Sequence, residues 1–270
     1  MFNRLSVNDI GASRLLSKQA QKQYIDMALS HYQKTLINSN AALRYLDKVR
    51  GIDMHIAKRY KIGFGNRSLG VILPDVEKFE GSMIRGALQR FGFIKPNGRE
   101  LFWGYITIPI KNENGELVDI YGHRIAKYLK NGKTATQSLL VNPVSLFNAQ
   151  CLGCFDSVIL CSSPLEALSL ISCGVENVVS ITGFSSLCAT QILQLKRNGV
   201  THVTIGFANT PKAQRFRVIA SKMFDAHAIQ HSHLALPSGA DINSVFVKAR
   251  EMMLLCRQLG VTLPVETLCH

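Results

Sequence analysis

Acidic residues are scarce in this 270-residue chain: 18 Asp and Glu stand against 31 Lys and Arg, a formal net charge of +13. Such an imbalance argues against a polycationic partner and for a polyanionic one. Long apolar runs are missing as well. No segment supplies the roughly 20 consecutive apolar residues of a spanning helix, and the start, MFNRLSVNDIGASRLL, has no apolar secretory core. A cytoplasmic, nucleoid-associated protein without membrane contact is therefore expected. Seven cysteines are too few and too irregularly spaced for a secreted disulfide framework, and Cys161, Cys173 and Cys188 lie in apolar runs where thiols act as small hydrophobes. The pair Cys151-x-x-Cys154 has no second close Cys or His pair at zinc-site spacing, since His231 and His233 come three strand–helix units later. No metal and no cofactor is expected. There is no Walker loop, and Gly63-x-Gly65 lacks the third glycine of a dinucleotide fingerprint. Cys161-Ser162-Ser163-Pro164 lacks the flanking glycines of a nucleophile elbow, so a hydrolase is disfavoured.

What is present is a chain with 47% hydrophobic residues, enough for one large core or two smaller ones, and with its charge unevenly placed. Through Gln150 there are 22 basic against 11 acidic residues, and beyond it 9 against 7. The first part is thus the one that should meet a phosphate chain. Its helical spacing runs from about Ser17 to Leu46, with Tyr24, Met27, Tyr32 and Leu36 on one face, interrupted and recapped at Asn38-Ser39-Asn40. Pro74 to Gly92 suggests a further helix, and Leu101 to Ile125 two strands joined at Asn112-Glu113-Asn114-Gly115.

The later part is built on repetition. VILCSSPLEALSL (Val158–Leu170) and VTIGFANTPKA (Val203–Ala213) each start as an uncharged β-branched run, break into small polar residues, and resume as an amphipathic helix. Between them Val178–Ile181 leads through Thr182-Gly183 to a helix over about Leu187–Lys196. Repeated β-α units predict a parallel sheet with helices on both faces, and chemistry at its strand ends. Ile242–Leu259 reads as one amphipathic helix. The expected class is α/β: an α+β N-terminal part (1–150), a sheet of β-α units (151–240), and a C-terminal helix and tail (241–270).

These motifs resemble the core of bacterial-type (DnaG-family) primases and its Toprim domain. The segment ALRYLDKVRGIDMHIAKRYKIGFG, Ala42 to Gly65, is similar to a family segment in which a helix ends in Tyr-Leu, then Arg-Gly, then a helix leading to an Ile-Gly-aromatic turn. Arg124 falls on the arginine of the family's Gly-x-Arg strand, whereas Tyr105 replaces an arginine and the stretch QSLLVNP with Phe147-Asn148-Ala149-Gln150 lacks two lysines. On the Toprim pattern Ser162 takes the place of a Glu, Ala208 and Thr210 of the Asp-x-Asp pair, and Asn243 of a later Asp. Glu166 and Asp241 keep their acids. Mg²⁺ in phosphoryl-transfer sites is held by clustered carboxylates, which Ser, Ala, Thr and Asn cannot replace. The resemblance therefore implies a vestigial metal site and a catalytically silent DNA-binding protein. Single-stranded or branched DNA is the expected ligand, and a recombinase, helicase or primase the expected protein partner, in replication, recombination or a mobile element. The alternatives are an active primase or Toprim nuclease with a non-standard metal site, and a protein-partner scaffold that does not touch DNA. Candidate DNA contacts are Arg44, Lys48, Arg50, Lys58, Arg59, Lys61, Arg67, Arg85, Arg90, Arg99, Arg124, Lys127, Lys130 and Lys133, with Tyr45 and Tyr60 interleaved for stacking.

Overall fold

The computed structural model describes residues 18–126, 134–139, 145–183 and 187–259. Lys127, Lys130 and Lys133 lie outside these residues. The N-terminal half starts with α1 (Lys18–Ile37), which ends at Asn38, and Ser39 caps α2 (Asn40–Arg44) by accepting from the Ala42 N–H. A π-turn over Tyr45–Val49 follows directly, then α3 (Met54–Arg59), whose first turn is closed by Asp53 accepting from the Ile56 N–H. After β1 (Gly63–Phe64) comes α4 (Phe79–Arg90), which begins five residues later than the sequence pattern predicts. The reason is local: Asp75 Oδ1 accepts from the Glu77 N–H, and the Asp75 carbonyl lies where a Cβ on Gly81 would sit, so Pro74–Lys78 folds back as a turn against the helix.

Strands β2 (Tyr105–Lys111) and β3 (Leu117–Arg124) form the expected antiparallel hairpin, with Gly115 left-handed at φ 79° in the turn. The first strand starts at Tyr105 rather than Leu101. Short β1 and β4 (Thr136–Ser138) pair on either side, giving the antiparallel order β1-β2-β3-β4.

The second sheet is wholly parallel, in the order β6-β5-β7-β8, with β5 Ser157–Cys161, β6 Val178–Ser180, β7 His202–Gly206 and β8 Gln230–His233. Its connecting helices are α5 (Pro164–Ser172), α6 (Ala189–Arg197) and α7 (Pro211–Ala226), and α8 (Ile242–Leu259) closes the described chain. Strand alternation divides the packing. Val158, Leu160, Val203 and Ile205 join Ile192, Leu195, Ala220 and Phe224 of α6 and α7 in one core. On the other face Cys161 and Val178 meet Leu165, Leu168 and Ile171 of α5 and Ile242 of α8, in a core that continues into Leu46, Ile56, Ile106, Ile108 and Tyr121 of the N-terminal half. Phe147 pairs with Ser180, so the chain reaches the second sheet's edge before residue 151. Because β5 sends its chain toward β6 and β7 sends its own toward β8, the crevice between them falls at the ends of β5 and β7, beside Ser162 and Ala208.

Candidate nucleic-acid interface

At that crevice each remaining acid is engaged in local structure. Ser163 caps α5 through the Glu166 N–H, and the Glu166 carboxylate turns back to accept from the Ser162 N–H at 2.8 Å and its hydroxyl at 2.6 Å. Burial raises the Glu166 pKa to about 7 despite these bonds, and nearby Asp241 adds to the rise. Asp241 accepts from the Ser244 N–H at 2.7 Å at the start of α8, and Thr210 caps α7 through the Ala213 N–H. Ala208 offers no donor atom. No group of three His, Cys, Asp or Glu side chains able to hold a metal occurs among the described residues. The residues present do not fit a two-metal centre.

Asn243 has a role that a carboxylate would not fill. Its Nδ2 donates to the Arg50 carbonyl at 2.9 Å and to Ser169 Oγ at 2.8 Å, while its Oδ1 accepts from Arg50 Nη1 at 3.0 Å. An aspartate accepts but does not donate, and would set a carboxylate oxygen against a carbonyl. Arg50 also donates to the Tyr45 hydroxyl and lies 2.8 Å from His123 Nε2. Burial, and then the Arg50 charge, lower the His123 pKa to about 4. Arg50 thus joins the two halves, and Tyr45 covers its guanidinium.

The other candidate cations divide by position. Lys48 pairs with Asp47 at 3.0 Å, and Arg85 donates to the Gly70 and Pro74 carbonyls, pinning the loop before α4. Arg44, Lys58 and Arg90 are exposed on separate helices. Arg59 and Lys61 line a cleft between the halves. Arg67, Arg99 and Arg124 come together in a second cleft of about 490 Å³, with Lys95 and Trp103, residues the sequence reading did not single out. Trp103 is the chain's single tryptophan, close to Arg99 in the sequence, and that was the available signal.

Geometry in this second cleft suits a nucleic-acid strand. The Arg67 guanidinium lies 4.1 Å from the centre of the Trp103 ring, and that of Arg124 lies 4.0 Å from the centre of Tyr105. Tyr105 is buried and its hydroxyl donates to the Thr134 carbonyl, so its ring serves as a shelf for Arg124, whereas Trp103 is 39% exposed. No carboxylate pairs with Arg67, Arg99 or Arg124 among the described residues. Glu100 also lines the cleft; its carboxylate accepts from the Leu69 N–H, and burial raises its pKa from the ordinary value. Arg67 takes a left-handed φ of 75°, a conformation of appreciable cost for a non-glycine residue, and it places the guanidinium over Trp103.

No family model matches the chain. A DNA primase of Aquifex aeolicus (strain VF5) is 26% identical over 174 residues, 60% of this chain and 34% of that protein, so the chain spans about a third of its relative's length. Among solved structures, the Aquifex aeolicus primase zinc-binding and RNA polymerase domains superpose with a TM-score of 0.73 at 21% identity, covering 95% of this chain and 63% of that one. A DnaG primase catalytic domain bound to single-stranded DNA gives a TM-score of 0.69 at 17% identity, covering 90% and 79%. Sequence match and architecture point the same way: in fold this chain is similar to a DnaG-type primase core.

Proposed function

We propose that this protein binds DNA in a single-stranded or partly unwound form, gripping the phosphates with Arg67, Arg99, Arg124 and Lys95 and stacking a base on Trp103. One observation carries the reading: Arg67 and Arg124, which have no carboxylate partner among the described residues, are held over aromatic rings in one open cleft. Guanidinium over indole leaves the N–H groups free for phosphate oxygens, and an exposed ring accepts any base. The structural neighbour bound to single-stranded DNA supports the same polyanion. Nucleotide polymerisation is not part of the proposal, because the crevice acids are committed to helix caps. The protein serves instead as an accessory factor in replication, recombination or a mobile element, with a recombinase, helicase or primase beside it.

The test is a fluorescence-anisotropy titration of a labelled dT oligonucleotide over a range of salt. Affinity should fall linearly in log–log terms with a slope that counts several released counterions. Arg124→Glu and Arg67→Glu should each weaken binding about ten-fold or more and flatten that slope, with the melting temperature unchanged. Trp103→Ala should cost about 1–3 kcal/mol without changing the slope. Full affinity in all three variants would place DNA elsewhere or nowhere.

A further inference from the structure

Two exposed surfaces lie outside the strand-end crevice and both clefts, and their chemistry is complementary. The first is the segment leading into α4, where Val71, Ile72, Val76 and Phe79 face solvent, Val71 at 81% and Phe79 at 82% exposure. Exposed apolar side chains so close together mark a contact surface when the backbone beneath them is fixed. Here it is fixed. Leu69 and Leu73 are buried in one core with Ile84 and Leu88 of α4, Arg85 donates to the Gly70 and Pro74 carbonyls, and the Lys78 N–H donates to the Asp75 carbonyl. Asp75, Glu77 and Glu80 are exposed among these apolar residues, with Lys78 the one cation between residues 71 and 80. In a chain of net charge +13 this is a local excess of acid. It turns away phosphate, whether of nucleic acid or of a lipid surface, and favours a cationic protein face.

The second surface is the outer face of α7. Lys212, Arg215, Val218, Ile219 and Lys222 follow one another at helical spacings of three and four residues, and all five are exposed, Val218 at 56% and Ile219 at 50%. Ala213, Ala220 and Phe224 take the inner side, and Arg217 turns inward to donate to the Phe207 carbonyl. Among the described residues no carboxylate pairs with Lys212, Arg215 or Lys222. Asp225, the helix's one acid, lies against His231 of β8.

The layers of the molecule keep these surfaces apart. Tyr105 and Ile120 of the first sheet join the core under residues 71–80, while Ile106, Ile108 and Tyr121 on its other face join the core shared with α5 and α8. Helix α7 packs on the far face of the parallel sheet. The surfaces thus lie on opposite sides of one copy. We propose that the patch at residues 71–80 receives the α7 face of a second copy, so that copies join head to tail. Val218 and Ile219 meet Val71, Val76 and Phe79, and Lys212, Arg215 and Lys222 meet Asp75, Glu77 and Glu80, an apolar centre with a charged rim. Unlike surfaces on opposite sides make a heterologous contact, which continues into an open chain of copies and does not close as a pair. Each copy adds one Trp103 cleft, so a strand held there is bound cooperatively. That consequence rests on the proposed function; the contact itself does not.

Sedimentation velocity of the full chain without nucleic acid tests the contact. The weight-average mass should climb with concentration past twice that of one copy, and less steeply as salt screens the rim. Two variants then test the charge matching: Glu77→Lys with Glu80→Lys, and Arg215→Glu with Lys222→Glu. All four side chains are exposed, so both variants should melt close to the wild-type temperature. Alone, each presents two surfaces of like charge and should stay monomeric. Mixed in equal amounts, each supplies the charge that the other lacks, and association should return. Phe79→Asp should weaken wild-type association about ten-fold or more. The proposal is overturned by a wild-type chain that stays monomeric at every concentration, by a mass that levels off at two copies, by variants that associate as wild type does, or by a mixture no different from its parts. Because the assay holds no nucleic acid, a failure of DNA binding at the Trp103 cleft leaves its outcome untouched.

Discussion

Glu166 shows how one residue type serves a different purpose when its neighbours change. With Ser162 beside it, the carboxylate accepts two hydrogen bonds at a helix start and closes the turn between β5 and α5. Burial nevertheless makes the charged form costly, and the pKa stands at about 7 against an ordinary 4.5. The folded state therefore holds this proton more tightly than the unfolded chain does. Its stabilising effect is complete below the ordinary value, drains away as pH rises toward 7, and is constant above that. Glu166→Gln keeps an acceptor and removes the titration. Relative to wild type, the variant should gain on the order of 2–3 kcal/mol between about pH 4 and pH 8 in urea-unfolding measurements. Curves that stay parallel over that range would show that folding leaves the Glu166 pKa at its ordinary value. Residue identity alone made the low charge of the crevice legible, because Ser162, Ala208, Thr210 and Asn243 are neutral whatever their surroundings. Two things were not legible: that Arg50 meets Asn243 and His123, and that Lys95 and Trp103 line one cleft with Arg67. Both depend on contacts between residues far apart in the chain.

Among the elements, those whose signals are local were read closely. Helix α8 spans Ile242–Leu259 as its amphipathic pattern indicates, and Ser39 and Gly115 mark a helix start and a hairpin turn through their own chemistry. Strands β1 and β4 are two and three residues long, too short for any alternation to register, and they exist because β2 and β3 offer edges to pair with. The π-turn at Tyr45–Val49 is another element set by its surroundings. It ends at Gly51, whose φ of 69° reverses the chain, and a Cβ there would lie 2.7 Å from Phe246 Cε1 of α8. Gly51→Ala combines backbone strain with a clash against that ring, so a loss of about 2 kcal/mol or more is expected in thermal or chemical unfolding. Gly98→Ala provides a comparison, since its φ is 74° but nothing lies within 4 Å, and it should show the strain cost alone. Equal losses in the two variants would mean that α8 does not press on this turn.

At the level of the whole molecule, the basic half and the parallel-sheet half share a core instead of merely touching. Leu46, Ile108 and Tyr121 from one side and Leu165, Leu168 and Ile242 from the other belong to one buried cluster. Polar ties reinforce it: Arg50 meets Asn243, and Arg250 on α8 pairs with Asp47 at 2.8 Å. Removing α8 or separating the halves would expose much of that apolar surface to water, at roughly 25 cal/mol per Å². The divisions at 150 and 240 are then expected to mark changes of architecture and charge and not independently stable units. Residues 1–150 and 151–240 expressed separately are expected to show weak or no cooperative unfolding, and the full chain a single transition, with far-UV circular dichroism and Trp103 fluorescence coinciding. Trp103 reports only on the N-terminal half, so a fluorescence midpoint displaced from the circular-dichroism midpoint would reveal halves that unfold separately.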